Sequence, residues 1–249
     1  MKSTTRFILS VLLCIVLNAE ATWAQDDQAD MNQPGQTKWK LSVDGGVGYR
    51  IASTKDSKQA LIRQGQDPSE VNSYFDQIKW GPQFSAQLHY LFSARYGVGV
   101  DYQFHTSSGN LYGTFDPGDG VTLYYGEVKD EVFTNYLGLS FYLYQWLKTS
   151  KLAFSSQISV GPVFFRQENV TLYTPALVTG KTLGGKVGYG LEYFLSRNIA
   201  LGIHLNLFYA TISKVKVDYE SSSDEVDLPK DQKEGLSRID GGAGIKFYF

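Results

Sequence analysis

The sequence predicts an all-β fold: an eight-stranded antiparallel transmembrane β-barrel with short periplasmic turns and long extracellular loops, preceded by a cleaved signal peptide. Three observations predict it. Eight segments alternate apolar and polar residues with period two, so each strand has one greasy and one polar face. The links between them alternate strictly between short and long, as they must when every second link faces the same side of a membrane. The chain also closes on an aromatic strand, Ile245-Lys246-Phe247-Tyr248-Phe249.

The first segment is an export signal rather than structure. Lys2 and Arg6 supply a positive start, and Phe7 to Leu17 form an apolar core of eleven residues. That is a secretory length, well short of the roughly twenty residues a spanning helix needs. Small residues follow at Ala19, Ala21 and Ala24; cleavage is expected after Ala24, with Ala21 as the alternative. Cys14 is the only cysteine, but Leu13 precedes it and the apolar core runs past it, so a lipid anchor is not expected. The domain reading is residues 1–24 signal peptide, 25–38 a disordered polar leader and 39–249 the barrel.

Composition excludes several classes. Without its signal the chain has no cysteine, hence no disulfide and no thiolate metal site. Losing Lys2, Arg6 and Glu20 moves the formal charge from -2 to about -3, which gives no basic excess for nucleic acid. Mean hydropathy is slightly negative, and no apolar run near twenty residues follows the signal. A helical membrane protein is thereby excluded. A barrel is not, because lumen residues dilute its apolar ones.

Strand one is read over Trp39–Ile51, with Trp39, Leu41, Val43, Val47 and Tyr49 outward and Lys40, Ser42, Asp44 and Arg50 inward. A one-residue slip would put those charges into lipid, so the register is well specified. Strands two and three, about Trp80–Phe92 and Tyr96–His105, flank a tight turn. Strand four, about Phe133–Leu143, places Leu137, Leu139 and Phe141 outward, and strand five spans Leu152–Phe165. Strands six and seven, Leu183–Leu195 and Ile199–Tyr209, turn at Ser196–Asn198; strand eight is Ile239–Phe249.

The long links cover about 52–79, 106–132, 166–182 and 210–238. Val121, Leu123, Tyr125, Val215 and Val217 keep traces of alternation, so some links are expected to continue as hairpins above the membrane. Asp67 to Ile78 is expected to form a short helix, since Pro68 suits a first turn. Aromatics fall into two sets at strand ends. Trp39, Tyr90, Phe92, Tyr96, Tyr193, Phe247 and Phe249 lie on the periplasmic side, with Trp80, Tyr49, Phe104, Phe133 and Phe164 opposite. Two headgroup girdles account for both.

On these features the chain resembles the small eight-stranded outer-membrane barrels, the class of the OmpX and OmpA transmembrane domains and the broader outer membrane protein beta-barrel domain group. The match runs over about residues 39–249. The resemblance implies that Ile245, Phe247 and Phe249 form an assembly signal for the barrel-assembly machinery. It also implies Sec export to the outer membrane of a Gram-negative bacterium, among outer-membrane lipid and lipopolysaccharide. Unlike OmpA, no peptidoglycan-binding domain is expected after the barrel.

The inward charges are the first candidates for function: Lys40, Arg50, Lys186, Arg238 and Lys246 against Asp44, Asp101, Glu192 and Asp240. Buried charges are costly unless paired, and eight strands leave a lumen just wide enough for side chains to fill. An internal ion-pair network plugging the lumen is therefore expected. The competing reading is a narrow porin-like channel for small solutes or ions. A lipid-modifying enzyme would have to use His105, near Ser107, Ser108 and Asp101 at the outer end of strand three, but no motif orients a base against a nucleophile. His89 sits at the wrong end for surface lipid chemistry, and His204 at mid-depth. Asp116 to Gly120 lacks the spaced ligands of a calcium loop and reads as a turn. No catalytic residue, metal or cofactor is assigned. The expected role is structural or surface-interacting, with the long loops free for an extracellular partner.

Overall fold

The computed structural model describes residues 37–115, 124–147, 151–171, 174–219, 222–228 and 234–249. The signal segment, nearly all of the leader and the Asp116–Gly120 turn lie outside the described residues. The elements are β1 (Trp39–Arg50), α1 (Lys55–Arg63), α2 (Pro68–Lys79), β2 (Trp80–Leu91), β3 (Tyr96–Phe115), β4 (Tyr124–Trp146) and β5 (Leu152–Thr171). They continue with β6 (Thr174–Phe194), β7 (Ile199–Ile212), β8 (Lys214–Tyr219), β9 (Ser223–Asp227), β10 (Glu234–Gly235) and β11 (Arg238–Tyr248).

Eight of these strands form a ring, β1 to β7 in sequence order and then β11, every pairing antiparallel. The seam closes between β1 and β11 from Lys40↔Tyr248 to Arg50↔Arg238. A closed ring leaves no edge in the spanning region, the condition for a sheet to sit in hydrocarbon. Burial alternates as the period-two pattern requires: on β1, Lys40, Ser42 and Asp44 are buried while Trp39 and Val47 are exposed.

The outer wall carries a continuous apolar belt. Leu139 is 72% exposed and Leu183 73%, with Val160 between them and Ile203 and Leu205 on the next strand. A patch of that extent is incompatible with water and is the surface a bilayer covers. Its one polar intruder on β4, Asn135, is satisfied within the wall: the Tyr102 hydroxyl donates to Asn135 Oδ1 at 2.8 Å. Aromatic pairs mark both rims, Trp39–Tyr90 at 5.1 Å on the short-turn side and Tyr49–Trp80 at 4.8 Å on the other.

The wall is lopsided. β3 to β6 run for 20, 23, 20 and 21 residues, against 12 for β1 and β2. Eight extra residues at about 3.3 Å each, tilted by about 40°, carry that side roughly 20 Å beyond the belt. Most of the 106–132 and 166–182 links is therefore hairpin rather than loop. The β8–β9 hairpin adds to the same raised sheet by pairing with β6.

The predicted helix is α2. The Asp67 carboxylate caps it, accepting from the Ser69 N–H at 2.7 Å, with Pro68 in the first turn. Its apolar residues Val71, Tyr74, Phe75 and Ile78 follow helical spacing and pack on Leu111, on the inner face of the raised β3. Burying four such side chains is worth roughly 6–12 kcal/mol. Glycine at 109 permits the approach, because a Cβ there would lie 2.6 Å from Ile78 Cγ1 and 3.0 Å from the Tyr74 carbonyl oxygen. The shorter α1, which the sequence reading left within a polar link, packs beside α2 through Leu61.

Candidate functional site

The inward faces of the eight strands stack into layers along the barrel axis. At the short-turn end lies an aromatic floor of Tyr142, Tyr144, Phe194 and Tyr248 with Ala153 and Ala200, flanked by Leu91 and Trp146. The rings meet closely, Trp146–Phe194 at 4.7 Å and Phe194–Tyr248 at 5.1 Å.

Above the floor sit the charges. Lys40 Nζ lies 2.5 Å from Glu192 Oε1, the two side chains 2% and 1% exposed. Glu192 also accepts from the Tyr142 hydroxyl at 3.0 Å and from the Tyr248 hydroxyl. Asp44 stands between the Lys246 ammonium and His204, whose Nδ1 is 3.3 Å away. Lys186 is 2.5 Å from Asp101, which accepts from Ser159 Oγ at 3.0 Å; Tyr136 in turn donates to Ser159 at 2.8 Å. Gly138 makes room for that tyrosine, since a Cβ there would fall 2.2 Å from its hydroxyl.

Nearest the long-loop end, Arg238 Nε is 3.0 Å from Asp240 and its guanidinium lies 4.0 Å over the Phe208 ring. Asp240 also accepts from Gln103 at 2.8 Å. The geometry thus brings eight of the nine lumen charges into four pairs, Lys40 with Glu192, Lys246 with Asp44, Lys186 with Asp101 and Arg238 with Asp240. Arg50 lies at the rim, where Nε and Nη2 donate to the Gly235 carbonyl at 3.0 and 2.8 Å.

An apolar roof covers the charges. Val132, Val163, Phe165, Phe208, Ala210, Ile212, Val215 and Leu236 pack there, with the Tyr136 ring 5.3 Å from Phe208. Beside the roof, α2 packs on β3 and is tied to the raised wall at Asp130. This buried carboxylate accepts from the Tyr74 hydroxyl, from Gln167 Nε2 at 2.7 Å and from Asn169 Nδ2 at 2.8 Å. Burial, reinforced by the Asp130 charge, holds the Tyr74 hydroxyl well above its ordinary pKa, so it stays a donor. Among the charges, a small polar cavity of about 30 Å³ is lined by residues including Lys40, Asp44, Glu192, His204, Asn206 and Lys246.

Sequence reasoning named the charges but missed their phenolic partners and the Asp130 tie. Tyr142, Tyr248 and Asp130 all share the inward parity of their strands, which was the available signal. His89 lies toward the short-turn end, as expected; its partners were not foreseen, Nε2 lying 2.8 Å from Ser140 Oγ while the ring stacks on Tyr142 at 4.9 Å. That pair is fully buried and its other ring nitrogen meets no carboxylate, so it has neither the orienting acid nor the access a nucleophile requires. His105 is 4% exposed and sits against Gly48. Its neighbours do not form a relay: Asp101 is taken up by Lys186 and Ser159, and Ser108 points outward. Among the described residues, no three His, Cys, Asp or Glu side chains are placed to hold a metal ion. Ile245, Phe247 and Phe249 lie exposed on the outer wall.

The closed ring, its apolar belt and its polar packed lumen define an eight-stranded transmembrane β-barrel of the outer-membrane type. No family model matches the sequence, and no curated protein does. Solved structures with a similar course of the chain include Neisserial surface protein A, at 12% identity and a TM-score of 0.44 over 85% of this chain and 97% of that one. The attachment invasion locus protein Ail of Yersinia pestis aligns at 12% identity and 0.41, covering 84% and 99%. The outer membrane protease OmpT from Escherichia coli aligns at 10% and 0.43, covering 88% and 99%.

Proposed function

We propose that this chain is an integral outer-membrane protein of a Gram-negative bacterium, exported on a signal at residues 1–24, whose barrel has a closed lumen and no catalytic task. Its role is structural and surface-interacting, presented through the raised β3–β6 wall, the β8–β9 hairpin and the α1–α2 segment. Ile245, Phe247 and Phe249 are the proposed assembly signal, facing lipid on the last strand. The carrying observation is the layering: four paired charges lie between an aromatic floor and an apolar roof, with α2 packed on β3 beside the roof. An ion crossing this lumen would have to shed its water in two apolar layers, which is prohibitively costly.

Reconstitution into planar bilayers tests this. The expected result is insertion without discrete conductance steps; reproducible steps would support the second reading, a narrow channel, which the small polar cavity among the charges favours. A surface role predicts that shortening the raised hairpins abolishes binding to an extracellular partner while the barrel stays heat-modifiable on gels.

A further inference from the structure

On one face of the outer wall the apolar belt ends in cations. Lys181 is the cross-strand partner of Phe164, and its Nζ lies 5.6 Å from the centre of that ring. One step further from the belt, Arg166 and Lys216 flank Thr179 from either side, through the pairs Arg166↔Thr179 and Thr179↔Lys216. Strand spacing puts those two cations about 10 Å apart, with Lys181 just below them. Where the belt ends on β7, β11, β1 and β2, the outward residues are Tyr209, Ile239, Tyr49 and Trp80, none of them charged.

Glu168 and Asp218 lie on the far side of these cations, away from the belt, while Glu225, the cross-strand partner of Lys216, is held by Lys214 at 2.5 Å. Arg166 reaches Glu168 at 2.5 Å and Lys216 reaches Asp218 at 2.8 Å, all four side chains substantially exposed. Exposed pairs of this kind contribute little and exchange partners readily. Lys181 has no carboxylate partner among the described residues. Positive charge therefore exceeds negative where lipid headgroups begin.

Resting on the outer-membrane reading, we propose that Arg166, Lys181, Lys216 and the Thr179 hydroxyl form a docking site for a phosphate-bearing saccharide lipid of the outer leaflet. Its acyl chains would lie along Phe164, Val160 and Leu183, and its phosphates against the three cations. The guanidinium suits two phosphate oxygens at once, and the lysines add point charges.

The test uses the folded chain in detergent micelles, with diphosphoryl lipid A as probe and bound lipid measured by native mass spectrometry. At about fivefold per cation, R166S/K181S/K216S should weaken binding roughly a hundredfold. The variant R166K/K181R/K216R should stay near the native affinity, as should K129S, which removes a cation further up the wall. The inference is overturned if the triple serine variant binds within threefold of native, if K129S loses as much per cation, or if fully dephosphorylated lipid A binds as tightly. Insertion into phosphatidylcholine vesicles separates the two ideas. A chain that does not insert refutes the membrane reading and the docking site together, whereas insertion without phosphate preference refutes the site alone.

Discussion

Glu192 is the residue on which the lower charge layer turns, and Glu192→Gln is the substitution that isolates its charge. The amide keeps the volume but leaves the Lys40 ammonium buried without a counter-charge, 2.5 Å from a neutral oxygen. The Tyr142 and Tyr248 hydroxyls also exchange a charged acceptor for a neutral one. Hydrogen bonds to charged groups are worth about 1.5–3 kcal/mol against about 0.5–1.5 for neutral ones, so the two phenols together lose roughly 2 kcal/mol. With the stranded ammonium added, the cost should reach about 3–5 kcal/mol, the range for breaking a buried pair from one side. Removing both charges, as Lys40→Met with Glu192→Gln, should cost less than the single change, because the desolvation of Lys40 disappears with its charge. Urea unfolding from lipid vesicles, followed by tryptophan fluorescence, measures both. A single variant within about 1 kcal/mol of native, or a double variant worse than the single, would refute the claim that this pair is dry and mutually dependent.

Three further outcomes are expected. Tyr74→Phe removes one of the three donors to buried Asp130 and should cost the α2 tie about 1.5–3 kcal/mol; hydrogen exchange in Pro68–Lys79 should accelerate while gel heat-modifiability stays unchanged. The Asp67 carboxyl is held below the ordinary 3.8 by hydrogen bonds from Ser69 and Glu70. Its contribution to α2 is therefore complete above that value and fades as the pH falls through its lowered pKa, so α2 amides should lose protection in acid before the barrel amides do. Leu139→Arg, at the 72% exposed middle of the belt, should cost about 2–4 kcal/mol in vesicle unfolding; a cost near zero would mean that this wall does not face hydrocarbon.

Legibility in the sequence followed contrast between the two faces of a strand. On β1, Trp39 and Val47 meet lipid while Lys40 and Asp44 meet the lumen, so period two was plain and the register unambiguous. Above the belt the same strands stand in water, and outward Ser108, Lys129 and Glu168 sit beside inward Gly109, Asp130 and Asn169. Polarity on both faces blurs the alternation, which is why the upper halves of β3 to β6 showed only as traces of it within long links. α2 was visible because its cap, its first-turn proline and its apolar spacing are all local. α1 was not, because its sequence carries no comparable cap: Thr54 makes no side-chain capping bond there.

What the sequence determined by itself was each strand's lumen face and hence the inventory of charges inside, because inward parity is a local property of an extended chain. Except for Arg238 and Asp240, two residues apart on one strand, which cation meets which anion was decided only by closure. Lys40 and Glu192 lie on β1 and β6, strands that are not neighbours in the ring, and their contact crosses the lumen. The same holds for the tie between Tyr74 and Asp130, which exists because a helix from one link folds over a wall raised by another. Separations of that kind are set by the curvature and stagger of the finished barrel, and no local pattern of residues encodes them.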